Sequence, residues 1–325
     1  FKTFIRMGDN QSVETYIPKI WGRHCVDLYY SVRAWDSIYR ELESYKLDEV
    51  SARFGLELDD MDIDKTKIEE LLRTNKEQII NHCMNDCIAT DFLSRQLTQK
   101  DFYQTQMIPL NYEKICIGSS SAKMTGMFTR EYYRNGMAIP LRQDKEDFQG
   151  ALVNAERRGI FENAYHIDVS SLYPSVMLLH KICPVTDSLK VFPKILKHLT
   201  TLRLDLKAKS KTSDNERYKA EEQAFKILIN SMYGLLGSGH AFQWNDMKKA
   251  SKVTEEGRKI LEHISDVIRE NDFEVYERDT DGQYFGNGKI IEDPQSFLEH
   301  VNESLPEGIE CDINYYKFFC NILPK

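Results

Sequence analysis

Three aspartates in this chain have the residue type and spacing for divalent-metal chemistry. Asp279 and Asp281 stand two apart in Asp279-Thr280-Asp281-Gly282, between the β-prone runs Phe273-Glu274-Val275-Tyr276 and Gln283-Tyr284-Phe285. In an extended hairpin, residues i and i+2 share a face. Asp168 ends a third β-prone run, Ala164-Tyr165-His166-Ile167, so a strand delivers a carboxylate to its end. Hard cations prefer carboxylate oxygens. Phosphoryl transfer from a nucleoside triphosphate uses two such ions about 4 Å apart to activate the attacking hydroxyl and neutralise the leaving pyrophosphate. An acidic turn alone is an ordinary surface feature, and its surroundings decide its meaning.

Those surroundings include a basic helical pair. Residues 191–211 and 213–233 predict two helices joined by a tight polar turn, the second opening with the capping-box spacing Ser213-Asp214-Asn215-Glu216. On the second, Lys226, Asn230 and Tyr233 fall at i, i+4 and i+7 and share one face. On the first, Arg203 and Lys207 are i, i+4, and Lys209 and Lys211 add positive potential. A triphosphate is the ligand such a face suits. The main-chain amides of Ser170, Ser171 and Leu172, in a turn running from strand to helix, suit phosphate oxygens as well.

Asp168-Val169-Ser170-Ser171-Leu172-Tyr173-Pro174-Ser175 resembles motif A of family B DNA polymerases. Lys226-x3-Asn230-Ser231-x-Tyr233-Gly234 resembles motif B, and Asp279-Thr280-Asp281 resembles motif C, in the family's order. Two weaker marks agree: Phe148-Gln149-Gly150-Ala151 resembles the element between exonuclease and polymerase modules, and Thr254-x2-Gly257-Arg258 a palm-helix signature.

The resemblance implies template-directed DNA synthesis, with dNMP transferred from dNTP to a primer 3′-hydroxyl. Asp168, Asp281 and Asp279 are then the catalytic acids, and Asp168, Val169, Asp281 and Asp279 the positions holding two Mg2+ ions, with Mn2+ as the alternative. Arg203, Lys207, Lys226, Ser170, Ser171 and Leu172 bind the triphosphate. Tyr173 is the steric gate against a ribose 2′-hydroxyl, with Asn230, Tyr233 and Gly234 at the nascent base pair. The partners implied are primer-template DNA, dNTP and a processivity factor.

The fold implied is mixed α/β: a palm sheet, a two-helix fingers hairpin and a partial RNase H-like exonuclease domain, without a thumb. Residues 1–100 correspond to the C-terminal part of the 3′–5′ exonuclease-like domain, 101–157 to a connector, 158–190 and 237–325 to the palm, and 191–236 to the fingers. Periodicity alone makes residues 1–100 mostly helical after a short strand at 24–28, and 102–157 irregular, broken by Pro109, Pro140 and glycines. A helix at 251–270 precedes the acidic hairpin.

Only one proofreading acid presents itself: His82-Cys83-Met84-Asn85-Asp86 aligns with the family's third exonuclease motif, with His82 in place of Tyr, and Asp86 alone cannot hold a metal pair. No 3′–5′ exonuclease activity is expected of this chain, which reads as starting after the other exonuclease motifs and stopping before the thumb. Motif C also departs from the family, with Glu277 for Tyr and Gly282 for Ser, so primer-end contacts should differ. The short spacing between Tyr173 and Arg203 leaves no room for the insertion of protein-primed relatives and favours a nucleic-acid primer.

Composition bounds the rest. The 325 residues suffice for two or three modules, and 41% hydrophobic with 29% charged residues is ordinary for a globular chain. No apolar run approaches a membrane span, and no membrane partner is expected. A net charge of −8 neither supports nor excludes nucleic acid, since a groove can be locally positive. Seven scattered cysteines favour a reducing compartment, cytoplasm or nucleus according to source. His82, Cys83 and Cys87 lack a second ligand pair at zinc-finger spacing. Two other classes stand beside the polymerase: a catalytically silent nucleotide- or nucleic-acid-binding fragment, and a stand-alone nuclease resting on Asp86.

Overall fold

The computed structural model describes residues 2–7, 11–16, 18–58, 63–143, 150, 153–213, 216–239 and 242–321. In chain order its elements begin with strands β1 (Lys2–Met7) and β2 (Gln11–Tyr16). Seven helices follow: α1 (Leu28–Tyr39), α2 (Leu47–Arg53), α3 (Ile68–Thr74), α4 (Lys76–Leu97), α5 (Gln99–Gln104), α6 (Tyr112–Ile117) and α7 (Ser120–Arg134). Then come β3 (Val153–Ala155), β4 (Gly159–Val169), α8 (Leu172–Leu179), α9 (Val191–Thr212), α10 (Glu216–Leu236) and α11 (Met247–Glu270). The last are β5 (Glu274–Asp279), β6 (Gly282–Gly286), α12 (Pro294–Ser304) and β7 (Cys311–Asn321). Two compact units result, one of Phe1–Met127 with Asp205–Ala224, the other of Phe128–Leu204 with Phe225–Lys325.

In the first unit β1 and β2 form an antiparallel hairpin. Val32, Val50, Leu93 and Leu97 make a small core under α1, α2 and α4, flanked by Trp35 and Phe54. The strand expected at 24–28 is not found: that segment ends at Asp27, whose carboxylate accepts from the Tyr29 N–H and starts α1. A side-chain cap turned an extended run into a helix entry. Within the connector expected to be irregular at 102–157, residues 112–117 and 120–134 are helical as α6 and α7, and β3 supplies a short strand. Pro109 lies between α5 and α6 rather than inside a helix, Asn111 caps α6, and Gly126 within α7 packs on Pro109 and Leu110. The breakers mark helix boundaries and a close contact.

The second unit is built on a five-stranded antiparallel sheet in the order β3-β5-β6-β4-β7. Tyr165, Ile167 and Val169 of β4, Val275 of β5 and Phe285 of β6 are buried, while α11 packs on β5, β6 and α8. Helix α11 buries Val253, Ile260, Leu261, Ile264 and Ile268, the 3.6-residue stripe expected of a helix laid on a sheet. It starts at Met247, earlier than periodicity predicts, because the Asp246 side chain caps the Lys249 N–H. Ser265 and Gln283 fasten α11 to β6 inside this layer, with Ser265 Oγ 2.7 Å from Gln283 Oε1 and Gln283 Nε2 donating to the Leu261 carbonyl at 3.2 Å. Phe128, Tyr132, Phe192, Phe242 and Trp244 form an aromatic cluster in the same unit.

The helical pair appears as α9 and α10. The proposed capping box lies partly outside the described residues, as does most of Phe148-Gln149-Gly150-Ala151. No helix among the described residues is long and apolar enough to cross a membrane.

Candidate active site

Strand β4 carries Asp168 to the sheet's edge of action, opposite Gly282 of β6 on one side and Asp312 of β7 on the other. The β5–β6 connection is a two-residue loop, Thr280-Asp281, with Asp279 paired to Gly282 across it. The Asp281 N–H turns back to the Asp279 carbonyl, and Thr280 takes a φ of 49°, a left-handed value that costs a β-branched residue energy. The loop is held against β4 by the Val169 N–H, which donates to the Asp281 carbonyl at 2.8 Å. Two acids far apart in sequence are thereby brought to one place.

Their electrostatics agree. Burial, then Asp281, then Asp312 push the Asp168 carboxyl up to about 6, and only Lys226 acts in the opposite sense. Asp281 is exposed at its tip, yet surrounding protein raises its pKa, with Asp279 adding to the effect. Burial together with Asp168 and Asp312 drives the Cys311 thiol to about 12, which reports the same negative field from behind the sheet.

The expected gathering of three carboxylates around one ion pair is not met: among the described residues no group of three or more His, Cys, Asp or Glu side chains stands close enough to hold a metal. Asp281 and Asp312 both act on Asp168, while Asp279 acts on Asp281 and on His166. Like charges held near one another favour separation and protonation. The donor set nevertheless fits a hard divalent cation, since it consists of carboxylate oxygens whose mutual repulsion a cation would relieve. Val169, buried and paired with Cys311, lies within this knot of strand ends.

Ser171, at φ 55°, opens α8, so the N–H groups of Ser171 and Leu172 stand where a helix has no internal acceptors. Ser170 differs from the expectation: its N–H is engaged by the Glu310 carbonyl at 2.8 Å, and its hydroxyl donates to Asp312 Oδ2 at 3.0 Å. The entry of β7 consumes that amide. Arg203 Nη1 donates to Ser171 Oγ at 2.8 Å, which places a guanidinium at the start of α8. Lys226, Asn230 and Gly234 are exposed on α10. Lys207, one turn after Arg203, falls in the first unit.

The Tyr173 and Tyr233 rings pack with centroids 4.3 Å apart. Burial raises both hydroxyls, Tyr173 to about 12. Behind Tyr173, Gly257 of α11 leaves room that a Cβ would take, at 3.3 Å from a ring carbon. In the first unit His82 Nε2 lies 3.6 Å from Asp86 Oδ2 on α4.

Sequence reading missed Asp312, Glu310 and the part played by His166. The alternation Cys311-Asp312-Ile313-Asn314 was the available signal for a strand presenting Asp312.

Comparison with known proteins gives consistent matches. The family described as DNA polymerase family B matches residues 110–191 and 187–292. A DNA polymerase of Archaeoglobus fulgidus is 27% identical over 97% of this chain and 43% of its own length. One from Pyrococcus glycovorans is 26% identical over 94% and 44%. A solved family B DNA polymerase from Pyrobaculum calidifontis superposes with a TM-score of 0.68 at 23% identity, over 93% of this chain and 43% of that one. The chain thus spans less than half the length of these relatives.

Proposed function

Because the chain belongs to the family B DNA polymerases, we propose that it carries the nucleotidyl-transfer centre of a template-directed DNA polymerase. The observation that supports this most is the apposition of Asp168 and Asp281, tied by the Val169–Asp281 main-chain hydrogen bond.

In this reading strands β4 to β7 with α8 and α11, in residues 158–190 and 237–325, are the palm, and residues 191–236 are the fingers. Residues 1–100 belong to an exonuclease-like domain and 101–157 connect it. The substrates are primer-template DNA and dNTP, and a processivity factor is the further partner to seek.

Asp168 and Asp281 would hold Mg2+, with Asp279 assisting and Val169 beside them. When bound, the metal pair supplies the charge that lowers the barrier to attack by the primer 3′-hydroxyl and to departure of pyrophosphate. Lys226 and Arg203 neutralise triphosphate oxygens, as does Lys207 in the family's pattern. The Ser171 and Leu172 amides donate to them, with Ser171 Oγ already oriented by Arg203. Tyr173, backed by Tyr233 and by α11 at Gly257, presents a flat wall to the sugar; Asn230, Tyr233 and Gly234 face the nascent pair. His82 and Asp86, an ion pair on α4, take no part in this step.

The test is extension of a labelled primer on its template by this chain with Mg2+ and dNTPs. Template-directed products are expected from the unmodified protein and none from Asp281→Asn; extension by the variant overturns the assignment. A second reading, a nucleotide-binding fragment without turnover, draws on the absence of a three-acid group among the described residues. Metal-dependent dNTP binding with no extension would select it.

A further inference from the structure

The residue directly after Asp281 has no side chain for a physical reason. A Cβ added to Gly282 would lie 2.6 Å from His166 Nε2 and 2.9 Å from the Ile167 carbonyl oxygen, closer than any real Cβ contact. The imidazole of His166 occupies that space. It comes from β4, two residues before Asp168 and on the same face, directly across from Tyr284 of β6. The Tyr284 ring packs against it, tilted, with centroids 4.3 Å apart and planes at 32°. His166 is therefore wedged between an aromatic ring and the peptide that follows a catalytic acid.

A histidine held this firmly normally spends its ring N–H on a carbonyl or carboxylate. Among the described residues no hydrogen bond engages either nitrogen of His166. Its ring is only partly buried, and Asp279 lies within electrostatic range. The arrangement fixes a donor beside the acid pair and leaves it unspent.

Resting on the polymerase reading above, we propose that His166 is a primer-contact residue, donating its ring N–H to a phosphate oxygen of the primer's last phosphodiester. If the reacting 3′-hydroxyl meets Asp168 and Asp281, the strand carrying it runs back over the open face of the sheet. Along β4 the first side-chain donor on that face is His166. Gly282 is bare so that the imidazole can stand there, and Tyr284 sets its orientation.

The experiment is a cycle of primer-template affinities, read by fluorescence anisotropy with Mg2+ on this chain. Unmodified protein and His166→Ala are each titrated with a normal primer and with one bearing a neutral methylphosphonate at the last linkage. His166→Ala should weaken binding of the normal primer about tenfold, the methylphosphonate should weaken the unmodified protein by a similar factor, and the two together should lose no more than either alone. His166→Gln, which keeps an N–H donor, should hold most of the affinity. Gly282→Ser should reproduce the alanine loss by displacing the ring. Independent, multiplying losses, or a glutamine variant as weak as the alanine one, overturn the contact while leaving the polymerase assignment standing. No primer-template binding by the unmodified protein removes both.

Discussion

The Val169 N–H reaches the carbonyl of Asp281 at 2.8 Å, tying the strand that ends in Asp168 to the turn of a hairpin more than a hundred residues later. One main-chain hydrogen bond thus sets how close the two acids stand, without demanding any side-chain contact between them. The closeness has a measurable cost.

Asp168 titrates at about 6 in the folded chain, raised chiefly by burial and then by Asp281 and Asp312, against 3.8 ordinarily. The folded state therefore binds protons more tightly than the unfolded one, so this group favours folding most below its ordinary pKa and loses that contribution as pH rises through the folded value. In chelator, stability should fall between about pH 4 and pH 7, and Asp168→Asn should flatten the profile. After discounting for solvent screening, Asp168→Asn should be more stable than its parent at pH 7 by about 1 kcal/mol, or about 2 °C in Tm. Thermal unfolding across pH checks it, and a variant less stable than its parent at pH 7 contradicts it.

Arg203 and Lys226 approach the acids from the helical side, one through Ser171 Oγ, the other through its field on Asp168. Charge-assisted hydrogen bonds from such cations to triphosphate oxygens contribute about 1.5–3 kcal/mol. Each alanine variant should raise the KM for dNTP about 10- to 100-fold with primer-template affinity little changed. Steady-state kinetics beside a binding titration separates the two, and an unchanged KM counts against a triphosphate role.

Gly257 sits behind the Tyr173 ring with only 3.3 Å to spare for a Cβ. Gly257→Ala should push that ring toward the sugar pocket and change the preference for dNTP over rNTP by about tenfold, whereas Tyr173→Ala should abolish most of it. Competing incorporation of the two nucleotide types measures this. A discrimination ratio identical in both variants and the parent would show that Tyr173 is not the gate.

Gln283 has no exposed surface and bonds α11 through Ser265 and the Leu261 carbonyl. Gln283→Ala removes two buried hydrogen bonds and opens a cavity, with Ser265 Oγ still bonded to the Leu261 carbonyl, at a cost of about 2–3 kcal/mol. Urea unfolding should register it as a lower midpoint at constant slope. A shift under about 0.5 kcal/mol would mean that β6 is positioned by other contacts.

What could be read beforehand was what depends on near neighbours in the chain. The run into Asp168, the acidic two-residue hairpin and the helices carrying Arg203 and Lys226 all follow from local periodicity and turn chemistry. The alternation at 311–314 signals strand β7, but not its place: Asp312 and Glu310 gain meaning only through pairing with Asp168 and Ser170 well over a hundred residues away. The same holds for His166, whose role rests on the missing side chain at Gly282. Errors came where one residue's packing overrode a pattern, as Asp27 did in starting α1 and Gly126 in seating α7 on Pro109.

The claim beneath all of this is that Asp168 and Asp281 share a cation. Binding of Mn2+ in the presence of dNTP, followed by electron paramagnetic resonance, tests it most directly on the unmodified chain, Asp168→Asn, Asp281→Asn and the double variant. Each single change should weaken binding at least tenfold, with the double change adding little beyond the larger single loss, as a shared ligand pair requires. Full retention of Mn2+ by either single variant, or losses that simply multiply, would contradict it.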